Sequence, residues 1–326
     1  MDPTPAFIQS ALIASSNSPG YPLTIGSPEL RDAMRAWATD VVGVTGEFDL
    51  LPSIGSKEVV ANLPAQLEVK NLLYPEIAYP TYLVGGIMAG AHNRTVGHDS
   101  AQWPNADLVW INSPSNPTGR ISSGSELRAI IEYSRKTGAI IASDECYLNF
   151  PGRLDAEPPQ SILRIANGDN RNLLALYSLS KRSNLAGYRG GLIIGDPALI
   201  ARLKEVRKHA GLIVPAPVQA AMVAALGDEV HVSEQADRYI KRRAILVPAL
   251  QSLGFVVGHS DAGLYIWCTR GESDLDSVHF LAELGILVTP GRFYGEAGNR
   301  YVRVALTATD SQITSASERM MWKSQS

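Results

Sequence analysis

Leu173-Leu174-Ala175-Leu176-Tyr177-Ser178-Leu179-Ser180-Lys181-Arg182-Ser183-Asn184-Leu185-Ala186-Gly187-Tyr188-Arg189-Gly190-Gly191-Leu192-Ile193-Ile194 is an apolar run, a polar insert and a second apolar run. Both runs are short and rich in aliphatic residues, which predicts two buried strands. The insert places Lys181 just past the end of the first strand, among the small hydroxyl residues Ser178 and Ser180, with Arg189 eight positions further on. A buried ammonium is costly unless it is paired or neutralised, and an amine kept neutral is a nucleophile able to form a Schiff base. Ser178 and Arg189 have the chemistry to hold a phosphate beside it. Taken alone, the stretch reads equally well as a surface turn with a solvated lysine.

Other strand ends repeat the pattern. Residues 108–111 (Leu-Val-Trp-Ile) predict a strand that runs into Asn112-Ser113-Pro114-Ser115-Asn116-Pro117-Thr118-Gly119, where two prolines and a glycine stop helix and ladder alike and hold the Asn116 amide in a stiff frame. Ser123 and Glu126 form a capping box for the next helix, which ends near Gly138. Residues 139–143 predict a buried strand that terminates in Asp144-Glu145-Cys146-Tyr147. Upstream, a strand over 48–54 leads into Gly55-Ser56-Lys57-Glu58 at the start of a helix expected to break at Pro64. The N–H groups and dipole of such a helix start suit an anion, although most such sequences are simply caps. Residues 72–78 form a short apolar run, and Tyr79-Pro80-Thr81-Tyr82 opens a small-residue helix towards Ala91. Strands alternating with helices predict an α/β fold with a mostly parallel sheet, whose ligands bind at the carboxyl ends of the strands. Asn116, Asp144 and Lys181 all fall there.

The flanks complete the layout. A short helical pattern at 6–13 and a Pro/Gly turn at 19–22 precede a helix opened by Ser27-Pro28-Glu29. After the central stretch come helices over 197–209 and 218–226, then a long one over 231–253, whose Arg238, Lys241, Arg242 and Arg243 read as a solvated face. Strands at 254–257, 263–267, 287–288 and 301–305 predict a smaller α/β layer. The expected division is an N-terminal segment, 1–20, on the side of the small domain, a large domain, 21–228, and a small domain, 229–326. A net charge of −3 without a long basic run gives no nucleic-acid footprint. Two cysteines without a CxxC, and six scattered histidines without HxH or HExxH, support neither a disulfide framework nor a metal site. No apolar run reaches the length of a membrane span, so a cytoplasmic enzyme is the expectation.

A Schiff-base lysine, an aspartate, an asparagine, a tyrosine and a phosphate cup are the parts used together in pyridoxal 5'-phosphate (PLP) chemistry. At this point the sequence resembles the class I/II aminotransferases of the aspartate aminotransferase fold, PLP-dependent transferase fold type I. The motifs are Asn116-Pro117-Thr118-Gly119, Ser143-Asp144-Glu145-Cys146-Tyr147, Ser178-Leu179-Ser180-Lys181 with Arg189, and Tyr301-Val302-Arg303-Val304-Ala305-Leu306, in an order that covers nearly the whole chain. The resemblance implies that Lys181 holds the cofactor and moves the α-proton. It implies that Asp144 faces the ring nitrogen, that Asn116 and Tyr147 bond the phenolic oxygen, and that Gly55, Ser56, Lys57, Ser178 and Arg189 form the phosphate site. Tyr82 stands where the family stacks an aromatic ring on the cofactor, and Arg303 where it clamps the substrate α-carboxylate, with Asn116 beside it. Tyr21 resembles the tyrosine that reaches the phosphate of the neighbouring subunit, so a homodimer with its active site at the interface is implied.

Within the family, Gly20-Tyr21-Pro22, residues 75–82 and residues 180–189 are most similar to actinobacterial-type succinyldiaminopimelate aminotransferases. That implies transfer from glutamate to N-succinyl-2-amino-6-ketopimelate in lysine biosynthesis. The alternatives are an aminotransferase for aspartate or another amino acid, a PLP-dependent lyase on the same fold, and a ligand-sensing regulator domain. The last lacks any basic helix-turn-helix extension to support it. Compared with the family, the sequence begins late, at Met1-Asp2-Pro3-Thr4-Pro5, where an N-terminal arm and a glycine-bearing loop are expected.

Overall fold

The computed structural model describes residues 2–153 and 158–325. Its frame is a seven-stranded sheet of β1 (Asp49–Ile54), β2 (Asn71–Pro75), β3 (His92–Val96), β4 (Leu108–Asn112), β5 (Ile140–Asp144), β6 (Leu173–Ser178) and β7 (Gly190–Gly195), in the spatial order β1-β7-β6-β5-β4-β2-β3. β7 runs antiparallel to both its neighbours, and the remaining pairs are parallel. Two antiparallel steps restore direction, so β1, β4, β5 and β6 all end at the same edge. The register carries the point further. Asn112 lies opposite Asp144, Ser178 opposite Gly191, and Ile54 opposite Gly190.

Every residue of β6 and β7 is buried, as expected of strands covered on both faces. Alternation sorts them. Leu174, Leu176 and Ile193 pack with Val59, Val60 and Leu63 on one side. Leu173, Ala175, Tyr177, Leu192 and Ile194 pack with Leu30, Met34 and Trp37 on the other. A second, antiparallel sheet has the order β10-β11-β9-β8, formed by β8 (Val256–Val257), β9 (Tyr265–Thr269), β10 (Thr289–Pro290) and β11 (Val302–Ala305). Helices Val230–Ser252 and Asp310–Ser324 cover it, with Tyr239, Leu246, Leu250, Ile266, Val302 and Met320 in a core of their own.

Three sequence expectations need correcting. The helix Gly55–Gln66 runs through Pro64. The proline has no N–H to offer the Val60 carbonyl, and Gly85 of helix Thr81–Met88 packs so close to that oxygen that a Cβ there would lie 2.6 Å away. Arg242 and Arg243 are buried rather than solvated. Arg242 donates to Asp2 at 2.7 and 2.8 Å and to Asp310 at 2.6 Å, while Arg243 donates to the carbonyls of Gly263 (2.7 Å) and Tyr265 (3.0 Å). The strand expected at 287–288 forms two residues later, as β10. Between β5 and β6, Ile162–Ile165 makes a helical turn; residues 154–157 lie outside the described residues. At the N-terminus, Asp2 is tied to helix Val230–Ser252 by Arg242 and Gln235, while Ile8 of helix Ala6–Ala14 is fully buried in a core against the seven-stranded sheet. Among the described residues no helix is long and apolar enough to cross a membrane, and no cluster of three or more His, Cys, Asp or Glu could hold a metal ion.

Candidate active site

Lys181 sits in the helical turn Leu179–Arg182, which begins where β6 ends. It lines a cavity of about 220 Å³ together with Ser56, Lys57, Tyr79, Asn116, Asp144, Cys146, Tyr147, Ser178, Ser180, Arg189, Tyr265 and Arg303. The sheet edge thus collects side chains from four strand ends, and the second sheet closes the cavity through Tyr265 and Arg303. A larger crevice of about 610 Å³ shares the loop after β4 as a wall, but contains none of the lysines.

Asp144 ends β5 and is almost fully buried. Tyr82 Oη donates to its Oδ2 at 2.9 Å and the Cys146 N–H donates to its Oδ1 at 3.2 Å. Burial pushes the Asp144 carboxyl above its usual range; hydrogen bonds from Cys146 and Tyr82, and the Lys181 charge, act against that. A carboxylate so placed is stabilised by any cation that enters the cavity. Its neighbour Glu145 turns away and accepts from Tyr177 Oη (2.7 Å), Ser143 Oγ (2.9 Å) and the Ile162 N–H (2.8 Å), which anchors the chain on the far side.

An anion site lies at the β1 end. Helix Gly55–Gln66 starts there without a side-chain cap, so its first N–H groups and its dipole face the cavity. Arg189, itself at φ +60°, brings its guanidinium to the same place and donates only to neutral oxygens among the described residues: Ala186 O at 3.0 Å, and Ser180 Oγ and Ile54 O at 3.4 Å. A cation facing the positive end of a helix needs an anion between them. Gly55 makes room. Its φ is +70°, and a Cβ would lie 2.8 Å from Arg189 Cζ and closer still to Nη2. Ser56 Oγ accepts from Cys146 Sγ at 3.1 Å. Burial, and next the Asp144 charge, push the Cys146 thiol well above its usual range, so it stays a neutral donor.

Arg303, on β11, has no carboxylate partner among the described residues. Nη1 donates to Asn116 Oδ1 at 3.0 Å and Nη2 to Thr289 Oγ1 at 3.5 Å, while the buried Nε has no partner. Its Cζ lies 3.9 Å from the Tyr265 ring centroid and 5.2 Å from that of Tyr294. Aromatic faces hold a guanidinium without neutralising it, which leaves two-pronged bonding for an incoming carboxylate. Asn116 gives its Oδ1 to Arg303 and its backbone N–H to Asn112 Oδ1 (2.7 Å), so its amide NH₂ is the group left for a ligand. Tyr147 Oη is 3.3 Å from Tyr265 Oη; burial, and next the Tyr265 neighbour, push the Tyr147 hydroxyl well above its usual range.

Two expected residues lie elsewhere. Tyr82 is fully buried beneath Asp144, stacked on Trp110 with centroids 5.1 Å apart, and is not in the cavity wall. Of the two tyrosines in that motif, the one in the wall is Tyr79, three residues earlier, just before the helix begins. Tyr21 is 101% exposed and outside the cavity lining. Tyr79, Cys146 and Tyr265 are further wall residues to which the sequence assigns no role. Tyr79 and Cys146 stand inside the quoted motifs, so position along a motif was the available signal; Tyr265 carried none.

A lysine, a buried carboxylate, a capless helix start facing an arginine, and an arginine without a counterion meet at the carboxyl edge of this sheet. Together they define a fold type I PLP enzyme, and each group fits a part of that cofactor or its amino-acid substrate. The model of the family "Aminotransferase class I and II" matches residues 2–320, and this chain belongs to that family. It is 50% identical to the 4-dedimethylamino-4-oxo-anhydrotetracycline transaminase OxyQ of Streptomyces rimosus, over 98% of this chain and 90% of that one. It is 49% identical to the probable aminotransferase Rv1178 of Mycobacterium tuberculosis (98% and 78%), and 33% identical to an LL-diaminopimelate aminotransferase of Dehalococcoides mccartyi (95% and 86%). Among solved structures it resembles an aminotransferase from Staphylococcus aureus, with TM-score 0.91, 25% identity and coverage of 99% and 91%. A probable N-succinyldiaminopimelate aminotransferase from Thermus thermophilus matches with TM-score 0.88, 27% identity and coverage of 98% and 91%. The protein is therefore a PLP-dependent aminotransferase acting on amino-acid and keto-acid substrates.

Proposed function

We propose that this aminotransferase takes its amino group from glutamate and passes it to N-succinyl-2-amino-6-ketopimelate, in the diaminopimelate branch of lysine biosynthesis. The observation that carries a carboxylate-bearing substrate is Arg303, a half-buried guanidinium whose buried Nε has no partner among the described residues, in the same cavity as Lys181. Diaminopimelate in the names of the D. mccartyi and T. thermophilus proteins supports the acceptor. The 50% identity to a transaminase named for an oxo-anhydrotetracycline supports a second reading, a cyclic ketone as acceptor.

Bound PLP supplies an electron sink that makes the proton on the substrate's α-carbon acidic. In our reading Lys181 binds the cofactor and moves that proton. Asp144 would hold the ring nitrogen, Asn116 and Tyr147 would donate to the phenolic oxygen, and Arg303 would orient the α-carboxylate. The Gly55, Ser56 and Lys57 backbone, Ser178 and Arg189 hold the phosphate. Tyr79, in the cavity wall, would hold the cofactor ring, and Tyr82 braces Asp144 from below. We also propose the division into 21–228 and 229–326 with a leading segment, cytoplasmic residence, and a homodimer in which Tyr21 reaches the partner's site. Exposed Leu83, Val84, Ile87 and Met88 on helix Thr81–Met88 favour a covered face there.

Steady-state kinetics with glutamate and a panel of acceptors tests the substrate. The account predicts the highest kcat/KM with the succinylated ketopimelate. Equal or better values with oxaloacetate, an aromatic keto acid or a tetracycline-type ketone overturn that acceptor and leave the family assignment untouched.

A further inference from the structure

Tyr265 touches two members of the site that lie on different sheets. β9 and β11 pair so that Ala305 faces Tyr265 and Arg303 faces Trp267. Two-residue alternation then puts Tyr265 and Arg303 on one face, diagonal to each other. The result is the 3.9 Å approach of the Arg303 Cζ to the Tyr265 ring. At the other end of the same side chain, Tyr265 Oη meets Tyr147 Oη at 3.3 Å. Tyr147 follows β5 of the seven-stranded sheet, so this pair of hydroxyls bridges the two sheets inside the cavity.

We infer that Tyr265 is a positioning residue with two separable roles: its hydroxyl sets the direction in which Tyr147 donates, and its ring fixes the plane of Arg303. The hydrogen-bond count explains the first role. Each hydroxyl has one hydrogen to give, and Tyr265 Oη makes no other hydrogen bond among the described residues. When Tyr265 donates to Tyr147, the hydrogen of Tyr147 is left for a ligand in the cavity, and a hydroxyl that accepts a hydrogen bond is also a better donor. The second role follows from the partners of Arg303. Asn116 fixes one Nη and Thr289 lies at 3.5 Å from the other, so the flat Tyr265 ring sets the tilt of the fork.

This inference rests on the proposed assignment of Tyr147 to the cofactor's phenolic oxygen, and a set of variants separates the two. Tyr265→Phe removes only the hydroxyl. In the PLP-loaded protein it should raise the pH midpoint of the cofactor's visible absorbance by roughly 0.3–1 unit, lower kcat several-fold and leave KM unchanged. Tyr265→Leu removes the ring as well and should raise KM for both the amino acid and the keto acid about tenfold. Because the hydroxyl acts through Tyr147, Tyr265→Phe should move the midpoint no further in a Tyr147→Phe background. Additive shifts in the double variant, or a parental midpoint in Tyr265→Phe with a shifted one in Tyr147→Phe, overturn the hydroxyl role alone. Equal KM changes in Tyr265→Phe and Tyr265→Leu overturn the ring role. An unmoved midpoint in Tyr147→Phe overturns the assignment of Tyr147 and, with it, the hydroxyl role.

Discussion

Replacing Gly55 by alanine separates the anion site from the stability of the fold. Gly55 sits at φ +70°, a left-handed conformation that costs an L-residue about 1–2 kcal/mol. The added methyl would also stand 2.8 Å from Arg189 Cζ, in the space the guanidinium now occupies. A long side chain relieves such a clash by moving, so the second effect falls on phosphate binding and not on folding. Losing one charge-assisted hydrogen bond from Arg189 costs about 1.5–3 kcal/mol, a weakening of PLP on the order of 10- to 100-fold. Gly90→Ala is the control, because Gly90 has nearly the same backbone (φ +66°) and nothing within 4 Å of the added Cβ. Thermal melting of the apo-proteins and equilibrium dialysis with PLP read the two quantities. Both variants should lose a similar 1–2 kcal/mol of stability, and only Gly55→Ala should lose affinity. Parental PLP affinity in Gly55→Ala would refute the reasoning that Gly55 keeps space for Arg189 at the phosphate.

Further outcomes follow from the same geometry. Asp144→Asn should retain PLP yet slow each half-reaction by orders of magnitude in stopped-flow traces, since an amide cannot keep the ring nitrogen protonated. Its apo-form should show the opposite sign. The folded Asp144 carboxyl titrates above its unfolded value, so its favourable contribution is present in acid and lost as pH rises through that raised range. Apo Asp144→Asn should therefore melt above the parent near neutral pH, with the gap closing below about pH 4. Arg303→Lys keeps the charge but loses the fork and the fit on Tyr265, so KM should rise for both the amino donor and the keto acid, by roughly 1–3 kcal/mol in kcat/KM.

How far the sequence led depends on what kind of signal each residue left. β4, β5 and β6 were legible because each is an apolar run that stops in polar residues, and Asn116, Asp144 and Lys181 are those stops or follow them closely. The helix start after β1 was legible for the same reason. Tyr265 was not, because an aromatic residue in a short strand reads as core, and half of its role lies in a hydroxyl meeting Tyr147, 118 positions away. Tyr82 and Tyr79 share one motif. Only the start of the helix at Thr81 decides that Tyr82 turns down onto Trp110 while Tyr79 stays in the wall. Arg242 and Arg243 looked like a solvated face because their partners are distant: Asp2 is 240 positions away, and the carbonyls of Gly263 and Tyr265 exist as acceptors only once β9 has folded. Local pattern reports which positions are apolar; it does not report which buried charges have found a partner.

The central claim is that Lys181 carries the cofactor. Among the described residues Lys57 is the only other lysine in the cavity wall, with its Nζ 6.0 Å from the Tyr79 ring centroid, so a chemical label can tell the two apart. The PLP-loaded protein is reduced with borohydride and digested, and the modified peptide is mapped by mass spectrometry. The account predicts a single pyridoxyl group on Lys181. A label on Lys57, or a protein that takes up PLP and yields no labelled lysine, contradicts it.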